Sequence, residues 1–201
     1  MSLLRLRSGA FWILSLAVAL VSWRFLVLGV ELSMPIMAHH IEPRAFSLYA
    51  HIGLAPVALA VMPFQFSTRL RNSRPRLHRW LGRVYALSIL LSGLGGLHLA
   101  LTTTSGPFAA SGFALLSVLW IAITGRAIWL AMQHRFTEHR AWMIRSASLT
   151  FAAVTLRLYL PILTGLFGFE AGYPPLAWIS WVPNLILVEY WLRRGTARAP
   201  A

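Results

Sequence analysis

The feature that most constrains this chain is the length of its uninterrupted apolar blocks. Phe11–Val30 holds one charge, Arg24, while Leu48–Phe66 and Val84–Leu101 hold none. Phe113–Gln133 holds only Arg126, Ala147–Phe169 only Arg157, and Leu176–Tyr190 only Glu189. A helix of roughly 20 residues crosses a hydrocarbon layer ~30 Å thick. All the blocks but the last, which is slightly short, reach that length. Inside lipid each segment must satisfy its own backbone hydrogen bonds, so the blocks are expected to be helices. Composition agrees. Of the 201 residues, 58% are apolar and 11% charged, against about 25% charged in a soluble domain. So few charges cannot clothe a water-soluble globule. The predicted fold is all-α: a polytopic membrane helical bundle of about six transmembrane helices.

The predicted helices span about 9–30, 45–64, 77–101, 110–133, 139–163 and 175–192. They form a single transmembrane domain over 1–193, followed by a tail over 194–201. Pro75 suits the N-terminus of the third helix, and Gly172-Tyr173-Pro174-Pro175 is expected to set the start of the sixth. The basic N-terminal stretch before the first apolar run is read as a retained helix, because the run is too long for a signal-peptide core.

The net charge of +13 arises from arginine alone on the basic side, since the chain has no lysine. In a soluble protein that balance would indicate nucleic acid. Here the arginines cluster at Arg5 and Arg7, Arg69 to Arg83, Arg135 to Arg145, and Arg193 to Arg198, while the alternate connections are nearly free of them. This is the positive-inside pattern. It predicts a multi-pass membrane protein with both termini cytoplasmic and a lipid bilayer, not nucleic acid, as the basic partner. A polybasic face also attracts anionic headgroups, which accounts for most of the arginines. There is no cysteine, so disulfides and thiolate sites are excluded.

Ionisable groups inside the hydrocarbon layer cost about 2.5–3.5 kcal/mol on insertion scales and are functional suspects by default. Counting about 1.5 Å of rise per residue places Arg24, His51, His98 and Arg157 in one outer layer. His78, Arg83, Arg126, His139, Arg145 and Glu189 form an inner layer, in which Arg126 and Glu189 are candidates for an ion pair. Two histidines at one depth on different helices point to a bis-imidazole haem b site, with His51 and His98 as ligands of the haem iron. Gly53 near His51, and Gly93, Gly95 and Gly96 before His98, would leave room for the ring. Arg157 or Arg44 would pair with the propionates. The competing reading is that both histidines make interhelical hydrogen bonds. A second haem at His78 and His139 stays open, although His78 and His98 fall on nearly opposite faces of their helix, about 30 Å apart along it. His139 and Arg157 are 18 residues apart, five full turns, so they are expected to share a face. His39, His40 and Glu42 are either ordinary loop residues or a surface metal site.

An internal repeat is visible. His78-Arg79-Trp80 with Arg83 opens the third helix, and His139-Arg140 with Trp142 and Arg145 opens the fifth. This relates the hairpin of helices two and three to that of four and five. The bland alternative is one interfacial anchor used twice.

The motifs His51-x-Gly53, Pro63-Phe64-Gln65-Phe66, His78-Arg79-Trp80-Leu81-Gly82-Arg83-Val84-Tyr85, His139-Arg140-x-Trp142-Met143-x-Arg145-Ser146 and Thr155-Leu156-Arg157 together resemble a bacterial family of predicted membrane proteins, domain of unknown function number 2306. The resemblance covers about 46–163. It implies a multi-helix inner-membrane protein and no particular activity. The segment His78–Arg83 is also distantly similar to the haem-bearing helix of ferric-reductase-like membrane domains. There the second histidine follows at a shorter interval than His98 does here.

Three functional readings follow. The leading one is electron transfer by a b-type haem protein, with a membrane redox partner or a quinone and an optional homodimeric state. The others are a non-enzymatic scaffold or accessory subunit, and a proton-coupled or small-solute transporter using the histidines and Glu189. Against transport, no discontinuous helix pair is evident. The chain has no aspartate, which weakens most hydrolytic constellations.

Overall fold

The computed structural model describes residues 3–196, and all regular structure among them is helical. The chain divides into two compact units, one ending at Leu99 and the other starting at Ala100.

The first unit contains α1 (Leu3–Ser22), α2 (Arg24–Val27), α3 (Val30–Ser33), a 3-10 turn (Pro35–His40), α4 (Ala45–Gln65), α5 (Thr68–Ser73) and α6, which starts at Pro75 and ends at Leu101. The single helix expected over 9–30 is thus broken. Gly29 takes φ 82°, ψ 153°, a conformation open to glycine and hostile to other residues, so the chain leaves α1 as a string of short pieces. Aromatic contacts fasten α1 to α4: Trp12 meets Phe64 edge-on at 4.8 Å, and Phe11 meets Phe66 at 6.1 Å. Near the start of α4, Val30, Leu48 and Leu99 form a small apolar core, covered by Met37, Ile41 and Ile52. In the basic connection, α5 is capped by the Ser67 hydroxyl, which accepts the Leu70 N–H at 3.2 Å, satisfying a donor that the helix leaves unpaired.

The second unit contains α7 (Gly106–Met132), α8 (Phe136–Thr150), α9 (Ala152–Ile179) and α10 (Val182–Thr196). His134, at φ 58°, supplies the left-handed residue that reverses the chain between α7 and α8. Along α7 and α8, Trp120 Nε1 donates to Thr150 Oγ1 at 2.9 Å, and the Thr124 and Ser146 hydroxyls bond at 2.7 Å.

Five helical stretches are long and apolar enough to cross a membrane: Gly9–Val27, Ala45–Gln65, Pro75–Leu101, Gly106–Met132 and the 59-residue Phe136–Arg194. A straight helix of that last length would extend about 90 Å, three times the hydrocarbon thickness. It is not straight. Gly168 takes φ 74°, ψ 169°, and a Cβ placed on Gly172 would sit 2.5 Å from the Leu163 carbonyl oxygen. The chain therefore folds back at Gly168, and the stretch makes two crossings, six in all. The turn lies several residues before the Gly172–Pro175 motif expected to start the last helix. Pro174 and Pro175 therefore lie inside α9, six and seven residues beyond the break. Of the expected tail over 194–201, residues 197–201 lie outside the described residues.

Candidate functional site

In the first unit the titratable groups gather where α4 begins and α6 ends. His51 on α4 places Nδ1 2.9 Å from the Ser92 carbonyl of α6, and His98 on α6 places Nδ1 2.8 Å from the Ser47 hydroxyl of α4. Ser47 and His51 are one turn apart, so the two histidines lie in the same stretch of the α4–α6 contact, offset by about one turn along it. The glycines between them act differently from the expectation. A Cβ on Gly95 would lie 2.5 Å from the Ser47 carbonyl oxygen and 3.4 Å from the His51 backbone nitrogen. Gly95 thus lets two backbones touch, as small residues do at membrane helix interfaces. A haem held on both faces needs a gap as wide as the ring and its two axial bonds. No such gap exists between α4 and α6 at this level, so His51 and His98 do not fit as the two ligands of one haem sandwiched between these helices.

His40 ends the 3-10 turn beside this pair. Arg44 Nη1 lies 3.2 Å from His40 Nδ1. A guanidinium only donates, so Nδ1 is the acceptor and the neutral ring carries its proton on Nε2. His40 is 1% exposed, and its Nε2 has no hydrogen-bond partner among the described residues. Burial, with the positive charge of His39, Arg44 and His98 nearby, pushes the imidazole down to about 4, so it is neutral at pH 7. The His39 and His40 rings stack with centroids 3.8 Å apart. No group of three His, Cys, Asp or Glu side chains is arranged to hold a metal ion among the described residues.

Of the other expected site residues, His78 lies half-buried in the first turn of α6. His139, in the first turn of α8, places Nδ1 2.7 Å from the Ala127 carbonyl of α7. Arg157 donates from Nη1 to the Ala153 carbonyl of its own helix at 2.9 Å. The helix between His139 and Arg157 is interrupted at Phe151, so the shared face expected from their spacing loses its basis. The ion pair expected of Arg126 and Glu189 is not formed. Glu189 on α10 takes a forked contact from Arg145 on α8, through Nε to Oε1 and through Nη2 to Oε2, the latter at 3.0 Å. Arg126 lies on the exposed side of α7 and stacks over the Trp129 ring at 4.3 Å.

Reading the sequence missed a further feature in the second unit. Two helix breaks, at Phe151 and at Ser180–Trp181, are cross-linked. Asn184 Nδ2 lies 3.3 Å from the Ser148 carbonyl, 3.0 Å from the Ser180 carbonyl and 3.2 Å from Thr155 Oγ1, and the Thr155 hydroxyl donates to the Ser180 carbonyl. Ser148 lies in the last turn of α8 and Ser180 caps α9, so Asn184 takes up a carbonyl beside each interruption. Pro183, which has no N–H to give the preceding turn, was the available signal.

Six apolar crossings, with titratable side chains turned onto neighbouring helices, define a polytopic helical membrane protein. The chain belongs to the family described as "Predicted membrane protein (DUF2306)", whose model matches residues 48–192. That stretch runs from α4 into α10, well past residue 163, where the motif resemblance ends. No curated protein and no solved structure matches the chain.

Proposed function

We propose that this protein is a non-enzymatic multi-pass subunit of a bacterial inner membrane, with both termini cytoplasmic, and that the imidazoles on its long helices serve to fasten helix pairs. The observation that carries this reading is the use of Nδ1 in three histidines. His51 and His98 each reach across the α4–α6 contact, and His139 reaches from α8 to α7. Such bonds contribute about 0.6–2 kcal/mol each in membranes. The arginine distribution supports the orientation. Purified protein is then colourless, and His51→Ala and His139→Ala each lower its thermal stability in mild detergent. A Soret band that vanishes on replacing these histidines would overturn the reading.

One observation favours electron transfer through haem b as a second reading. His51 and His139 both direct Nδ1 at a backbone carbonyl, the arrangement that fixes the tautomer of a ligating histidine and leaves Nε2 as the ligand atom. A haem would supply a one-electron carrier. Within this chain His51 and His139 would ligate from the flanks of their helix pairs, the α4–α6 contact itself being closed. The test is expression with a haem precursor, followed by reduced-minus-oxidised spectra. This reading requires a b-type signal that is lost in His51→Ala or His139→Ala and kept in Gly53→Ala.

A further inference from the structure

We infer that His40 is the hydrogen-bond donor of a binding site for a lipophilic carbonyl compound of the quinone class, at the end of the α4–α6 pair.

The inference starts from an unmet donor. Arg44 fixes the lone pair of His40 at Nδ1, so Nε2 carries a proton that meets no acceptor among the described residues, on a side chain 1% exposed. A buried donor left unpaired costs free energy that any molecule supplying an acceptor oxygen recovers. The same proton argues against a metal, which needs a lone pair at that nitrogen.

The surroundings select the class of acceptor. The neighbouring core is apolar: Val30, Leu48 and Leu99, with Met37, Ile41 and Ile52 around them. A carbonyl on an apolar ring needs one donor and apolar walls, and both are present here. The approach is apolar too. Leu32 is 75% exposed and Phe46, two residues beyond Arg44, 84% exposed, so a ligand dissolved in lipid meets hydrophobic side chains first. Access requires His40 to be uncovered. The segment that leads to and carries His40 is α2, α3 and the 3-10 turn, pieces of four to six residues around Gly29, and short pieces of this kind open locally at low free energy. The inference is independent of whether haem is bound.

The test uses the full chain in nanodiscs of neutral lipid. A short-chain benzoquinone is titrated in while thermal unfolding and the quinone C=O stretch are followed. The expected result is a concentration-dependent rise in Tm and a carbonyl band moved to lower frequency by the donated bond. In His40→Leu the apparent affinity falls about tenfold, the equivalent of one lost hydrogen bond, and the band returns to its free position. If His40→Leu fails to fold, the wild-type band decides the matter, because a quinone bound with an unshifted carbonyl overturns the proposal. So does an equal Tm rise in His40→Leu, which signals simple partition into lipid. A rise with phosphatidylglycerol or inorganic phosphate, lost in His40→Leu and absent with quinone, assigns the donor to an anion and also overturns it.

Discussion

The backbone of Gly95 on α6 lies against the Ser47 carbonyl of α4 so closely that a methyl group added at Gly95 would stand 2.5 Å from that oxygen. Neither backbone atom can rotate away as a side chain can. Gly95→Val must therefore push the helices apart, and His51 and His98 lose their bonds across the same contact. The expected loss is about 1–3 kcal/mol from overpacking, read as a lower Tm in detergent. Gly53 provides the control. A Cβ there meets only Leu26 Cδ1, at 4.0 Å, so Gly53→Ala stays within about 0.5 kcal/mol of wild type.

The forked contact of Arg145 with Glu189 joins α8 to α10 with both side chains partly buried, at 21% and 33% exposure. Removing one partner leaves the other charge poorly solvated; removing both does not. Arg145→Met and Glu189→Met are each expected to destabilise the protein by about 1–3 kcal/mol, discounted from the fully buried case for partial exposure. The double variant recovers at least half of the summed loss. A double-mutant cycle on thermal unfolding measures the coupling, and strict additivity would show that the pair contributes nothing.

Asn184 holds two helix interruptions together with one amide. Asn184→Leu keeps the volume and removes the donors, leaving the Ser148 carbonyl and part of the Ser180 carbonyl unmet. The expected loss is about 1–3 kcal/mol. Thr155→Val removes a hydroxyl that bonds to the same carbonyl of Ser180, so the two losses combine non-additively. Hydrogen exchange adds a local readout: in Asn184→Leu, amides from 152 to 155 and from 182 to 186 lose protection before the rest of α9 and α10.

Much of this architecture was legible in the sequence because a membrane imposes a one-dimensional rule. Twenty apolar residues and an internally bonded backbone define a crossing, and the six blocks do so without knowledge of neighbours. Local backbone geometry was less legible. Gly29 and Gly168 break helices through a positive φ, and neither differs in sequence from Gly95, which lies buried inside one. Partners were the least legible. Helix periodicity gives depth and face on one helix, and it set His51 and His98 in one layer, where the contacts place them about one turn apart. It does not say which helix comes near, so Glu189 was matched to Arg126 instead of Arg145, and Gly95 before His98 was given a cofactor to admit where it lies against a backbone. His40 was unremarkable in a loop motif until its burial was known.

That burial makes His40 the group through which acid should act on the first unit. Its imidazole is held down to about 4 by burial, with His39, Arg44 and His98 adding positive charge around it, against an ordinary value near 6.5. The lowered value means that the unfolded chain takes up the proton first as pH falls. Stability therefore rises with pH where the unfolded state holds more protons. The stabilisation is complete above about pH 6.5 and drains away between there and about pH 4, where the folded ring also protonates. The full difference is about 3 kcal/mol. Protonation also forces a choice at Nδ1, which cannot accept from Arg44 while carrying a proton. Unfolding midpoints measured from pH 7.5 to 4.5 in a neutral detergent should fall for wild type. His40→Leu has no proton to take up at this position, so its curve should be flatter across the same window. Parallel curves for the two proteins would place the acid sensitivity elsewhere.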